Sequence, residues 1–443
     1  MMQGAAFGWF GIVRLGLVQT ALGAVVVLTT SVLNRLMVVE FALPAILSGL
    51  LVGLYYAMQM LRPRMGHGSD VGGRRTPWII GGMATLCLGA VLAAIATGMM
   101  DGPLLPALAL AIPAFLLVGA GVSAAGTALL VLLAARVAPA RKAAAASIVW
   151  IMMIAGFVVT TAVAGRTLDP YSAERLLAVT ACVAVLAFLL ALVAVVGLEG
   201  HARPTIDPRR QPDGAFRAAF AEVWAEPEAR HFTLFVFVAM LAYSAQDLVL
   251  EPFAGSVFGM TLGQTTQLAS IQHGGVLAGM VLLAAIGRFT QGRLSALRSW
   301  IQLGCAAAAS VLLLLSVVGM VATAVSLQLL YAALGLANGI FAAAAIAAMM
   351  QLAARGTPGR DGVRMGMFGA AQAVAFGLGG LAGTILLDVG RLISGGVLGG
   401  YATVFLVDAG LFLAAAIMAQ RIGLVGEQGV HRLPAAGPTP RVG

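Results

Sequence analysis

Apolar residues fill long stretches of the chain, and polar residues gather in short segments between them. A helix needs about 20 mostly apolar residues to cross the core of a bilayer. Stretches of this kind predict twelve spanning helices, at residues 17–39, 43–61, 78–99, 105–135, 144–165, 174–198, 231–250, 264–286, 300–322, 325–352, 365–387 and 400–420. The pattern therefore predicts an all-α polytopic membrane protein.

The composition excludes a set of soluble domains, although 443 residues would suffice for two or three of them. Hydrophobic residues make up 60% of the chain and charged residues only 10%, whereas soluble domains carry about 25% charged residues. The three cysteines lie singly inside apolar stretches, without metal-ligand spacing. We interpret them as packing residues.

The cations predict how the chain is oriented in the membrane. If the N-terminus is cytoplasmic, 22 of the 26 basic residues lie in inner segments and three in outer loops. Cytoplasmic loops of membrane proteins are enriched in Lys and Arg. We therefore expect both termini to be cytoplasmic, and the net charge of +9 needs no nucleic-acid partner.

The chain divides into two similar halves. We predict a six-helix half at 1–198, a cytoplasmic linker at 199–230, a second six-helix half at 231–420 and a cytoplasmic tail at 421–443. The segment Ala134-Ala135-Arg136 recurs 219 positions later as Ala353-Ala354-Arg355, and the same offset relates Asp169 to Asp388. Within the linker, the spacing of apolar residues predicts an interfacial amphipathic helix, with a core-facing helix as the alternative; these residues are Phe216, Phe220, Val223 and Trp224.

A glycine-rich motif lies between the second and third predicted helices. It resembles the G-x-x-x-D-x-x-G-R-R signature of the major facilitator superfamily, with Val71 in place of the usual basic residue, and its matching residues are Gly66, Asp70, Gly73, Arg74 and Arg75. The resemblance implies the major facilitator fold, with 12 transmembrane helices in two six-helix halves. We expect Asp70 to accept hydrogen bonds from a helix N-terminus and Thr76-Pro77 to cap the third helix.

Four longer stretches resemble a narrower group, the PucC/LhaA family of purple photosynthetic bacteria. They are 33–40, 61–78, 242–253 and 265–275. The resemblance implies a light-harvesting assembly factor that binds or delivers bacteriochlorophyll a. It further implies antenna apoproteins or a reaction-centre/antenna complex as partners, bacteriochlorophyll-synthesis enzymes as possible partners, and location in the intracytoplasmic photosynthetic part of the inner membrane.

Ionisable residues at membrane depth are costly and need a partner or a task. Arg35 and Glu40 lie near the outer end of the first predicted helix, and Asp247 and Glu251 near that of the seventh. We predict that Arg35 pairs with Asp247 or Glu251 and joins the two halves. The alternative is a set of separate charges at headgroup level. Asp408 has no evident partner, which indicates either a titrating or cavity-facing group or a misplaced helix boundary.

His273 is the one histidine well inside a predicted span, beside Gly274 and Gly275, where a flat ring could approach the backbone. Since neutral imidazole is a good metal ligand, His273 is a candidate pigment ligand, with Gln272 and Gln267 as further pigment-binding candidates. A hydrogen-bonded core histidine is the ordinary alternative.

A secondary transporter and a membrane enzyme are the two alternative function classes. A proton-coupled secondary transporter would use Asp247, Glu251 or Asp408 as proton sites. A membrane prenyltransferase would need paired Asp-rich motifs to hold magnesium diphosphate, and the aspartates here never fall four apart. We therefore do not expect an enzyme.

Overall fold

A computed structural model describes residues 7–62, 65, 74–138, 141–199, 215–287, 294–321, 327–355 and 361–422. The described chain is helical. We number the twelve long helices α1 to α12; their bounds are Trp9–Glu40, Ala45–Leu61, Thr76–Gly98, Leu104–Arg136, Lys142–Thr167, Ala173–Val195, Pro227–Phe258, Leu262–Gly287, Leu294–Val321, Leu327–Arg355, Asp361–Ser394 and Val397–Ala419. A separate linker helix spans Ala215–Ala225.

The predicted membrane class is confirmed. Eleven of these described helices are long and apolar enough to cross a membrane, and α2 is a shorter apolar helix. Several helices extend beyond the predicted spans, most clearly α1, which begins at Trp9. Its early start is possible because Arg14 donates to carbonyl oxygens at the end of α6, to Ala194 at 2.9 Å and Val196 at 2.5 Å. The cation thereby satisfies a helix C-terminus.

The helices define two ends of the bundle. We call the end where α1 begins and α12 ends the near face, and the opposite end the far face. Buried apolar side chains form two large clusters, one drawn mostly from residues 7–198 and the other mostly from 223–422. Four residues belong to the cluster of the opposite segment, and they lie on α1, α2, α7 and α8: Val38, Ala45, Leu248 and Leu262.

Glycines bring α8 and α10 into close contact. A side chain at Gly335 or Gly339 of α10 would collide with the carbonyl oxygen of Gln272 or Val276 on α8. Gly275 of α8 faces the α10 backbone in the same way. We predicted that a flat pigment ring could approach the backbone at Gly275. This prediction is wrong, because α10 occupies that space. Of the two glycines beside His273, Gly274 alone keeps open space beside its backbone.

A carboxylate that the sequence did not single out caps α3 at the near face. Glu199, which follows α6, accepts from the backbone N–H of Arg75 at 2.7 Å and of Thr76 at 2.7 Å, and from the Thr76 hydroxyl at 2.8 Å. The expectation that Thr76 caps α3 is thus wrong, whereas Pro77 lies in the first turn of the helix as expected. A carboxylate binds several donors at once more strongly than a hydroxyl does.

Of the residues of the glycine-rich motif, Gly66, Asp70 and Gly73 lie outside the described residues, and Arg74 is exposed.

The second half has its own near-face contact. Arg364 at the start of α11 is 1% exposed and makes a two-point ion pair with Glu226, the residue before α7, at 2.9 and 2.5 Å.

In the linker helix, Val223 is fully buried, while Phe220 and Trp224 stack and remain partly exposed. The helix therefore has a core-facing residue as well as exposed aromatic residues.

Candidate functional site

The two halves meet along α1 and α7 near the far face. The side-chain amide of Asn34 on α1 donates to the backbone carbonyl oxygen of Leu248 on α7 at 2.7 Å. That carbonyl would ordinarily accept from the residue four positions later, but this residue is Pro252, which has no N–H. Asn34 therefore satisfies a carbonyl group that the proline leaves free inside the membrane.

This arrangement predicts a coupled pair of substitutions. Asn34→Leu leaves the Leu248 carbonyl without a donor, and we expect it to lower the free energy of unfolding by about 1–3 kcal/mol. Pro252→Ala restores a backbone N–H within α7, so the double variant is expected to recover most of that loss. Denaturant unfolding in mixed micelles measures all four proteins of the cycle. Strictly additive effects would contradict the proposed hydrogen-bond exchange.

Arg35 does not form the predicted ion pair with Asp247 or Glu251. It pairs with Glu40 of its own helix and donates to the Met260 carbonyl oxygen, beyond α7, at 2.8 Å. Two π-helical turns, Leu28–Val32 and Leu36–Glu40, flank the turn that carries Arg35. Because Glu40 lies on the same helix, it is held close to the guanidinium without any closure of the halves. Arg35 nevertheless joins the halves through Met260.

Glu251 faces α1 through a different residue. One of its carboxylate oxygens accepts from the Ser31 hydroxyl on α1. The other is buried and has no hydrogen-bond partner among the described residues, and the side chain is 3% exposed. Glu251 therefore contributes to the junction of the halves through its hydrogen bond with Ser31, and it lies within electrostatic range of Arg35 without a direct ion pair.

Asp247 lies deeper, among aromatic residues from both halves. It is within electrostatic range of Tyr56 on α2 and Tyr243 on α7. The rings of Tyr56 and Tyr243 both contact Phe376 of α11, with centroids 5.5 and 5.9 Å apart. This aromatic group could not be predicted from the sequence, because its members come from three separate helices.

Asp408 lies in the middle of α12 and is fully buried. A misplaced helix boundary is therefore not the explanation for its position. Within the described part of the chain, neither of its carboxylate oxygens has a hydrogen-bond partner.

His273 is 4% exposed, and its Nδ1 lies 2.8 Å from the Ala269 carbonyl oxygen one turn earlier. This contact assigns the proton to Nδ1 and leaves the lone pair on Nε2. The ring stands edge-on to Phe157 of α5, with centroids 5.1 Å apart. The imidazole thus has the electronic form of a metal ligand, but it is packed as a residue of the α5–α8 contact.

The three predicted pigment-binding residues do not converge. Gln267 is exposed near the far face, with its Nε2 3.5 Å from the Gly165 carbonyl oxygen on α5. The backbone of Gln272 abuts Gly335 on α10, whereas His273 contacts α5. The structure therefore places Gln272 against a different helix from the other two, and their role as one pigment site remains a prediction.

A groove of about 520 Å³ lies between α2, α4 and α11, and almost all of its lining is apolar. Several of its side chains are exposed on the outside of the bundle, so the groove opens toward the surrounding membrane; they are Leu50, Met60, Ile112, Val374 and Leu378. The groove exists because four of its lining residues have small side chains or none: Gly53, Ala57, Ala373 and Gly377. Ala373 and Gly377 lie one turn apart on α11, and a Cβ atom at Gly377 would be 3.3 Å from Tyr56 Cβ on α2.

Comparison with known proteins places the chain in a family. Residues 32–426 match the family model described as PUCC protein. The chain is 47% identical to the "Bacteriochlorophyll synthase 44.5 kDa chain" of Rhodobacter capsulatus, over 96% of this chain and 98% of that protein. It is 30% identical to "Protein PucC" of the same organism, over 91% and 90% of the two chains.

Solved structures confirm the fold at lower identity. The nucleoside transporter NupG has a TM-score of 0.64 at 15% identity and covers 93% of this chain and 98% of its own. A peptide transporter, POT, in complex with sulfate has a TM-score of 0.66 at 13% identity, over 95% and 96% of the two chains. The chain is a member of the PucC family with the fold of the major facilitator transporters.

Proposed function

We propose that this chain assists the assembly of light-harvesting complexes by holding bacteriochlorophyll and presenting it to antenna apoproteins within the bilayer. Membership of the PucC family and the bacteriochlorophyll-related name of a 47%-identical relative support a photosynthesis-related role. We further propose that the chain lies in the photosynthetic inner membrane with its near face toward the cytoplasm, as the distribution of cations suggests.

The observation that carries the proposal is the membrane-facing groove. Its lining on α2 runs from Leu47 to Met60, a length of about 20 Å at 1.5 Å per helical residue. An elongated, apolar space open to lipid suits a long hydrocarbon chain that arrives sideways from the membrane. The isoprenoid tail of bacteriochlorophyll is a chain of this kind.

Among the described residues that line the groove, none carries an imidazole or a carboxylate that could bind the magnesium. Contact through the tail would leave the magnesium free to be bound by an acceptor polypeptide, which suits a delivery role. His273 as a magnesium ligand remains a separate prediction, and its packing against Phe157 leaves little room for a macrocycle in this conformation.

We propose a non-catalytic role, even though one relative is named as a synthase chain. The fold is shared with transporters, and the described residues contain no group of three or more His, Cys, Asp or Glu side chains that could hold a metal ion. A subunit that accompanies pigment synthesis without performing it fits both the relative's name and this fold.

Filling the groove tests the proposal. Gly53 lines the groove and has open space for a Cβ atom, so Gly53→Phe is designed to place its ring in the groove. We expect the bacteriochlorophyll that co-purifies from pigmented membranes to fall at least tenfold. Gly410→Phe on α12, another position with open space, is the matched control and should retain pigment.

The same absorbance measurement separates the two pigment sites. Loss of pigment in His273→Phe together with full retention in Gly53→Phe would contradict the groove and favour the histidine. Both variants should be checked by size-exclusion chromatography, because only correctly folded protein gives an interpretable pigment content.

The second candidate function is proton-coupled transport of a small or amphipathic solute. It is favoured by the position of Asp247 and Glu251 at the junction of the halves. Proton-driven solute uptake by proteoliposomes, abolished in Asp247→Asn, would support this function over pigment handling.

A further inference from the structure

Two carboxylates at equivalent positions of the sequence repeat each bind a helix of the opposite half. Asp169 follows α5, and Asp388 lies near the end of α11, 219 positions later. Both are therefore at the far face. Each accepts a hydrogen bond from the backbone N–H of the second residue of its partner helix, Gly263 of α8 and Ile46 of α2.

Asp388 supplies a cap that α2 lacks. Its two oxygens accept from the backbone N–H of Ala45 at 3.2 Å and of Ile46 at 2.8 Å, the first two residues of α2. Pro44 precedes α2 and provides no side-chain acceptor. Because the first amides of a helix have no partner within it, α2 depends on a carboxylate from the other half of the molecule.

Asp169 adds to a cap that already exists at α8. Thr261 and Gln264 form a reciprocal capping box, with the Thr261 N–H donating to Gln264 Oε1 at 3.0 Å and the Gln264 N–H donating to Thr261 Oγ1 at 3.3 Å. Asp169 accepts from the Thr261 hydroxyl and from the Gly263 N–H at 3.2 Å. Any side chain at Gly263 would collide with Asp169, so this position depends on glycine.

We propose that Asp169 and Asp388 form a symmetric pair of clasps that holds the two halves together at the far face. A carboxylate at a helix N-terminus is stabilised by the helix dipole and by charge-assisted hydrogen bonds. Both interactions are lost when α2 separates from α11 and α8 from α5. The carboxylates therefore stabilise the closed far face over the open one, which is the difference that sets a conformational equilibrium.

The expected size follows from helix caps elsewhere. Removal of one capping side chain shifts an equilibrium by roughly fivefold. If the two clasps act independently, loss of both shifts it by roughly 30-fold. The clasps are thus strong enough to set the population of the open state and weak enough to be overcome by a bound ligand.

Spin-label distances across the far face test the proposal. Leu105 on α4 and Ile393 on α11 belong to opposite halves and are 80% and 83% exposed. Cysteines at these two positions, in the intact chain with its native cysteines replaced by alanine, report the separation of the halves by pulsed electron resonance in nanodiscs. We expect a longer-distance population to grow about fivefold in Asp169→Ala or Asp388→Ala, and roughly 30-fold in the double variant while it remains a minor state.

Asp101→Ala is the control, because this carboxylate lies at the far face in the turn between α3 and α4. It should leave the distances unchanged. If the double alanine variant fails to fold, the double asparagine variant keeps an acceptor oxygen at each site but loses the charge, and should shift the distances in the same direction. Wild-type distances in a folded double variant of either kind would overturn the proposal.

Discussion

Replacing Arg35 with alanine is expected to lower the free energy of unfolding by about 3 kcal/mol, near the lower end of the range for breaking buried ion pairs. Arg35 is 1% exposed and donates to both Glu40 and the Met260 carbonyl oxygen. Its loss leaves a cavity and an unsatisfied carbonyl group at the junction of the halves. Glu40 is 35% exposed and keeps access to solvent, which limits the penalty.

Unfolding in mixed micelles, followed by helical circular dichroism, measures this loss. Arg166→Ala removes an exposed arginine from the end of α5 and should change the free energy of unfolding by no more than about 0.5 kcal/mol. An Arg35→Ala variant as stable as Arg166→Ala would show that the buried guanidinium does not hold α1 to the segment after α7.

Gly335→Leu is expected to cost at least about 3 kcal/mol, because a side chain at this position meets the backbone of α8 and forces the two helices apart. Small residues let membrane helices approach closely, and their packing replaces the hydrophobic drive that lipid removes. The four glycines of this contact leave no flexible side chain that could move aside; they are Gly275, Gly279, Gly335 and Gly339.

Gly410→Leu on α12 is the matched control, since no atom of the described residues lies within 4 Å of a Cβ atom placed there. It should stay within about 0.5 kcal/mol of the wild type. Thermal denaturation monitored by size-exclusion chromatography distinguishes the two variants. Equal midpoints for Gly335→Leu and Gly410→Leu would contradict the assignment of α8 and α10 as a glycine-dependent contact.

Features with strong local signals could be predicted from the sequence. The apolar stretches identified the spanning helices because the thickness of the bilayer imposes their length. The motif around Asp70 indicated the major facilitator fold, and the stretch from Ala242 to Phe253 indicated the PucC family, and both are confirmed. These features depend on residues close together in sequence.

Contacts between distant segments could not be predicted in the same way. Nothing in the residues around Asn34 indicates that its side chain donates to a carbonyl group that Pro252 leaves free on another helix. The sequence places Glu199 in the predicted linker, yet its carboxylate caps α3. The repeat related Asp169 to Asp388, but their equivalence alone did not indicate which helix each would cap. The predicted Arg35 partner was wrong because a glutamate five residues away on the same helix was already within reach.

The geometry connects the fold to the proposed role. The contacts of Asn34, Arg35, Asp169 and Asp388 join the halves at the far face, while the groove beside α2 opens sideways to the membrane. Asp388 binds the start of α2, and the groove lies along the rest of that helix. A separation of α2 from α11 would therefore release the clasp and widen the groove together.

The most direct test is the absorption spectrum of the intact wild-type chain purified from pigmented photosynthetic membranes. We expect bacteriochlorophyll in a defined ratio to protein, with antenna polypeptides identified in the same preparation. A folded, colourless protein without antenna polypeptides would contradict the proposed role.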